Sequence, residues 1–195
     1  LLNDRLSLTA DVFRTEKENA RVQVDTTSYE NAGKTRVQGI ELSASGKITD
    51  KWQVFAGYAY MDSEQVDGGP LSVTDGNELP NTPKNSASVW TTYQITPKLT
   101  VGGGAFYVDD VFGNTTNSVM VDSYWRYDAM ASYKLTKNVD LQLNVQNLTD
   151  EKYVTTVRNQ LGGSWAQPGL PPPAQYTAIY RCTRPPSARP TQRST

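Results

Sequence analysis

Along residues 139–146, Val139, Leu141, Leu143 and Val145 alternate with Asp140, Gln142, Asn144 and Gln146. A polarity period of two marks a strand with one oily face and one wet face. The same alternation recurs over residues 5–16, 35–48, 51–62, 84–96, 99–111, 123–136 and 139–149, which predicts seven strands. Residues 21–27 add a further strand or an extension into the next segment, and 176–180 is the last candidate. The connections alternate in length. Residues 48–51, 96–98 and 136–138 are tight turns of turn-forming residues, whereas 18–34, 63–83, 113–122 and 150–173 are long polar links. Such short–long alternation is expected of an outer-membrane barrel, although a soluble meander can share it.

The aromatic positions discriminate further. One face carries Trp52, Val54, Ala56, Tyr58 and Tyr60, and the next strand presents Ala87, Val89, Thr91, Tyr93 and Ile95. Then come Leu99, Val101, Gly103, Ala105 and Tyr107, followed by Trp125, Tyr127, Ala129, Ala131, Tyr133 and Leu135. Trp52, Tyr93 and Tyr133 fall near the short turns, and Tyr60, Tyr107, Trp125 and Tyr127 near the long links. The eight steps from Trp52 to Tyr60 span roughly 27 Å, or about 20 Å of height after tilt, which matches an oily band between two aromatic girdles. A soluble core would favour bulky aliphatics at mid-strand. The opposite face holds Glu41, Gln53, Ser88, Thr92, Arg126, Asp128, Asp140, Gln142 and Asn144, suited to a wet lumen and costly in a dry core. Trp90 shares their parity, so it packs against something in the lumen or marks a slip of register.

Composition narrows the function classes. Only 37% of residues are apolar and no apolar run approaches the ~18 residues of a membrane helix. There is no histidine and one cysteine, Cys182, which excludes Ser-His-Asp chemistry, imidazole metal sites and an intrachain disulfide. The net charge is −1, yet the last 22 residues hold four arginines and no acid. No basic stripe suits a phosphate backbone, so no nucleic-acid partner is expected. The chain opens Leu1-Leu2-Asn3-Asp4 with a strand pattern almost at once, and reads as a cut through a longer protein.

Three stretches resemble the C-terminal part of TonB-dependent outer-membrane receptors. They are Arg5-Leu-Ser-Leu-Thr-Ala-Asp-Val-Phe-Arg-Thr-Glu16, Gly33-Lys-Thr-Arg-Val-Gln-Gly-Ile-Glu-Leu42 and Asn144-Val-Gln-Asn-Leu-Thr-Asp-Glu-Lys-Tyr153. Leu79-Pro-Asn-Thr-Pro-Lys-Asn85 and the segment 52–62 add to the likeness, which covers about residues 1–165. The ferric-siderophore receptors, of catecholate type, are the nearest branch. The resemblance implies an all-β, antiparallel transmembrane β-barrel of 22 strands, filled by an N-terminal plug. This chain would supply seven or eight of the strands. It further implies the outer membrane of a Gram-negative bacterium, with ferric siderophore, TonB (through the plug) and outer-membrane lipid as partners. Iron would arrive already chelated, so neither a cofactor nor a protein metal ligand is expected, and no chemical step.

The tail departs from the pattern. Six of the eleven prolines lie from Pro171 onward, and a ladder strand accepts proline poorly. Residues 1–169 are therefore read as barrel and 170–195 as a Pro/Arg-rich tail, disordered or produced by a frameshift after about Gly169. On that reading the strand at 139–149 is penultimate and has lost its closing neighbour.

The remaining motifs have plainer explanations. Gly102-Gly103-Gly104 lies mid-strand without a following helix, so close backbone packing outweighs a phosphate cradle. Asp75-Gly-Asn-Glu78 and Asp109-Asp110 read as solvated turns, since calcium-loop spacing is missing. Glu16 with Glu18, and Asp62 with Glu64, sit at strand ends without a cleft that would make them paired catalytic acids. For ligand contact, cations and aromatics at the long-link side suit a flat, anionic, aromatic chelate: Arg21, Tyr29, Lys34, Arg36, Tyr153 and Arg158. The alternative is that these six simply decorate loops. Two other functions stay open at this point: a small passive outer-membrane pore of about eight strands, and a soluble β-barrel carrier of a small apolar ligand.

Overall fold

Alternation along the chain becomes a single meander in the computed structural model. The structure describes residues 5–23, 29–69, 72–157 and 175–182; of 20–23, 29–32 and 175–182 it describes the backbone alone. In chain order the strands are β1 (Leu6–Gln23), β2 (Tyr29–Lys47), β3 (Trp52–Asp67), β4 (Asn85–Gln94) and β5 (Leu99–Val108). They continue as β6 (Val111–Phe112), β7 (Met120–Val121), β8 (Tyr124–Lys134), β9 (Val139–Gln146) and β10 (Gln175–Cys182). Eight form one antiparallel sheet in the order β1-β2-β3-β4-β5-β8-β9-β10, and β6 pairs with β7 as a small hairpin between β5 and β8. Among the described residues β1 and β10 pair with no further strand, so the sheet is an open segment rather than a closed eight-stranded barrel.

Register fixes the two faces, because directly opposed residues share a side. Val12↔Ile40, Ile40↔Tyr60, Tyr58↔Ala87, Ala87↔Tyr107, Tyr107↔Trp125 and Tyr133↔Leu141 carry one face across seven strands. That face is the apolar one, with Leu8, Val12, Ile40, Leu42, Val89, Leu141 and Leu143 exposed on it. Trp52 and Tyr93 oppose each other at the short-turn end, and Tyr107 meets Trp125 at 4.9 Å between ring centroids at the other. Girdle polar atoms find partners: Trp52 Nε1 donates to Thr91 Oγ1 at 2.7 Å and Tyr58 Oη to Asn85 Oδ1 at 2.8 Å. Among the described residues the only buried hydrophobics are Tyr153 and Val157. Among the described residues these strands enclose no dry core.

The polar set Asp11, Glu41, Ser88, Asp128, Gln142 and Asn144 lies on the other, inward face. Trp90 belongs there without any slip of register. It opposes Phe55 and Gly104, and a Cβ on Gly104 would come within 2.5 Å of Trp90 Cε3. The glycine is the space the indole occupies. Gly102 likewise lies close to a neighbouring backbone, 3.0 Å from Thr91 O to a notional Cβ, as expected of close strand packing.

Four expectations are corrected. Within the expected 18–34 link, residues 18–23 and 29–34 are paired ribbon, in keeping with the candidate extension at 21–27: β1 and β2 reach Gln23 and Tyr29, with irregular register around Asn19 (φ 58°). Above the oily band both faces of a strand meet water, so the alternation that signals a strand disappears while the ladder continues. Residues 24–28 of the candidate extension lie outside the described residues. Strand β3 runs on to Asp67, into the expected 63–83 link, for the same reason. The link at 113–122 includes β7 and is braced by the β6–β7 hairpin. Finally β9 keeps its neighbour. Strand β10 pairs with it from Gln175↔Gln146 to Cys182↔Val139, because residues 174–184 are proline-free and rich in strand formers.

Candidate functional site

The outward face changes character at one level. Above Val12, Ile40 and Tyr60 on the same side come Arg14, Gln38 and Asp62, then Glu16, Arg36 and Glu64. Lys34 Nζ lies 2.8 Å from Glu16 Oε2 and 3.7 Å from Glu18 Oε1, Arg36 pairs with Glu64, and Gln38 Nε2 donates to Asp62 Oδ2 at 3.1 Å. Hydrogen bonds from Lys34 and then Arg14 hold the Glu16 carboxyl down from an ordinary 4.5 to about 2. A depressed carboxyl contributes stability that is present above its unfolded value and is lost as the pH falls from about 4.5 towards about 2. Replacing Lys34 with Met should move the Glu16 titration, followed by carboxyl carbon resonance, back up towards 4.5. An unmoved midpoint would assign the shift elsewhere.

This level places two of the six ligand candidates. Lys34 and Arg36 lie on the outward side of the ribbon with their charges taken by glutamates, away from the lumen. Arg21 and Tyr29 lie near the ribbon's top, where Arg21 pairs with Asn31 and Tyr29 with Gln23 through the backbone. Tyr153 is inside, 7% exposed, and stacked on Tyr124 at 3.9 Å with the rings 12° apart. Arg158 lies outside the described residues. Of the three candidates whose side chains are described, Lys34 and Arg36 lie outward and Tyr153 inward.

A different group does converge, at the lumen side of the long-link end. Arg126 Cζ sits 4.4 Å from the Phe106 ring centroid, and its Nη2 donates to Asp128 Oδ2 at 3.1 Å. Asp128 Oδ1 accepts the Asn147 backbone N–H at 2.9 Å. Asn147, 1% exposed and left-handed (φ 52°), ends β9 and turns the chain inward. Residues 147–157 then cross the mouth, and Val157 packs against Gly113 and bonds Asn81. Below this crossing is a cavity of about 220 Å³ lined by Asn81, Asp109, Asp122, Tyr124 and Val154 among others. Sequence parity had placed Arg126 and Asp128 inward. The roles of Asn81 and Asn147 were carried only by the family-like motifs in which they sit.

The acids weighed as calcium ligands have ordinary partners. Asp109 accepts from Asn85 Nδ2 at 2.7 Å and Tyr107 Oη at 2.8 Å, bonds that hold its carboxyl below the usual range, the Asn85 bond foremost. Asp75 Oδ1 accepts from Gly68 N–H and Ser72 Oγ, a local turn. Among the described residues no group of three or more His, Cys, Asp or Glu could hold a metal.

Known proteins share this architecture. The family model described as "TonB dependent receptor-like, beta-barrel" matches residues 1–148. The probable TonB-dependent siderophore receptor PiuA of Acinetobacter baumannii is 52% identical over 163 residues, covering 79% of this chain and 22% of that protein. The catecholate siderophore receptor Fiu of Escherichia coli K12 is 37% identical over 175 residues, 88% of this chain and 23% of Fiu. The crystal structure of PiuA superposes with a TM-score of 0.78 at 44% identity, covering 93% of this chain and 26% of that one. The closed form of Fiu gives 0.76 at 34% identity, with 93% and 26% covered. The chain thus spans about a quarter of the relatives it matches. With an outward girdled band, a wet inward face and a family match over most of its length, the chain belongs to the TonB-dependent receptor family, as part of its β-barrel.

Proposed function

We propose that this chain forms the C-terminal barrel portion of an outer-membrane receptor that imports a ferric siderophore with energy delivered by TonB. The observation that carries the reading is the 52% identity to a probable siderophore receptor across 79% of the chain. The outward band between girdles supports contact with outer-membrane lipid, and the polar inward face supports a lumen filled by protein and water. The likeness to a catecholate siderophore receptor favours a catecholate-type chelate. Cargo would bind at the long-link face and pass inward after the plug rearranges, without any bond made or broken in the protein.

The test uses the full-length receptor in a Gram-negative strain stripped of its own siderophore receptors. Uptake of radioactive iron is measured with catecholate and hydroxamate chelates, with and without TonB. Energy-dependent uptake of the catecholate chelate is the expected result. Flux that persists undiminished without TonB would replace the receptor with a passive pore.

A further inference from the structure

Three asparagines at the mouth share an uncommon backbone and an uncommon bonding pattern. Asn81 (φ 56°), Asn117 (φ 53°) and Asn147 (φ 52°) are all left-handed, a region that side-chain-bearing residues other than asparagine and aspartate seldom enter. Each sets both ends of its carboxamide on the backbone N–H and C=O of one partner residue, and Asn117 Nδ2 also reaches Asn114 O at 3.4 Å. Asn81 Oδ1 accepts the Val157 N–H at 2.9 Å while its Nδ2 donates to Val157 O at 3.0 Å. Asn117 Oδ1 accepts the Glu78 N–H at 2.9 Å and its Nδ2 donates to Glu78 O at 3.0 Å. Asn147 Oδ1 accepts the Glu151 N–H and its Nδ2 donates to Glu151 O, both at 3.0 Å.

These clasps run in series through three separate links. Asn147 folds the segment after β9 inward, Asn81 ties the far end of that segment to the β3–β4 link, and Asn117 ties that link to the one between β5 and β8. One backbone bond and one side-chain bond reinforce the chain: Asn81 N–H donates to Phe112 O at 2.8 Å, and Asn77 Nδ2 donates to Thr115 O at 2.9 Å. Among the described residues the two most buried apolar ones, Tyr153 and Val157, lie on the tied segment. A clasp that reads main-chain N–H and C=O is indifferent to the side chain it holds, so the wall can keep its shape while its exposed residues vary.

We infer that the three links form one rigid wall of the mouth, held by the Asn147, Asn81 and Asn117 clasps, and do not act as independent lids. Hydrogen exchange read by mass spectrometry on the full-length receptor in detergent tests this. Glycine is the suitable replacement, since it keeps the left-handed backbone and removes only the carboxamide. Asn81→Gly should speed exchange roughly tenfold or more, the order expected for losing two ordinary hydrogen bonds. The rise should appear together in segments 72–84, 109–123 and 147–157, with β8 and β9 unchanged. Asn117→Gly should give the same joint rise, and it serves if the first variant fails to fold. Asn81→Asp, which keeps the acceptor and loses the donor, should fall between. Acceleration confined to the link whose clasp was removed would overturn the inference. So would wild-type links that already exchange as fast as free peptide.

Discussion

Leu143→Arg should destabilise the folded receptor by about 2–4 kcal/mol in lipid, whereas Gln142→Arg, one residue away, should cost little. The two side chains stand on opposite faces of β9, so strand propensity and position are held nearly constant. Leu143 opposes Ala131 and sits between the Leu141–Tyr133 and Val145–Ala129 pairs, inside the girdled band and 45% exposed. An arginine there must thin the bilayer or draw in water. Gln142 opposes Ser132 and donates to Asn144 Oδ1 at 2.9 Å on the wet face, where a guanidinium keeps its hydration. Denaturant unfolding of the full-length protein in vesicles measures both. Equal costs, or a larger cost at Gln142, would remove lipid from the outward face and return that face to contact with protein or water.

The strands that cross the band were legible because one face is apolar and the other polar, which gives the period-two signal. Hence β4, β5, β8 and β9 fall close to their expected bounds, and the tryptophan and tyrosine girdles set both face and height. Legibility fades above the apolar band. The β1–β2 ribbon past Lys17 and Lys34 has no face that must be oily, so the pattern offered only the candidate extension at 21–27. Lys34 and Arg36, read as cations available to an anionic chelate, lie on the outward side of this ribbon, paired with Glu16 and Glu64. The clasps show a different limit. Asn81, Asn117 and Asn147 act on partners 76, 39 and 4 residues away, and only the last pairing is local enough to leave a trace in the sequence. At the tail β10 forms within the proline-free window that held the last strand candidate, 176–180.

Gly39→Ala should abolish a correctly folded barrel, a far larger effect than its single methyl suggests. Gly39 opposes Phe13 on β1 and Met61 on β3, and a Cβ built on it would lie 2.0 Å from Tyr60 O. That oxygen is main chain, within a ladder that continues through Ile40↔Tyr60 and Glu41↔Ala59. Relief therefore requires the β2–β3 pairing to open, not a rotamer to turn. Overpacking in ordinary cores costs about 1–3 kcal/mol because side chains can yield; here the obstacle cannot. Phe13 Cζ is the next nearest atom at 3.1 Å, so Phe13→Ala should not rescue Gly39→Ala. Gly103→Ala is the contrast: its nearest atom, Asp128 O, is 3.5 Å away, and the variant should assemble like the parent. The readout is the heat-modifiable band of the full-length receptor in outer-membrane fractions run unboiled. Normal amounts of folded Gly39→Ala would show that β2 and β3 are further apart than the register states. Rescue by Phe13→Ala would make the aromatic ring, not the Tyr60 carbonyl, the reason a glycine stands there.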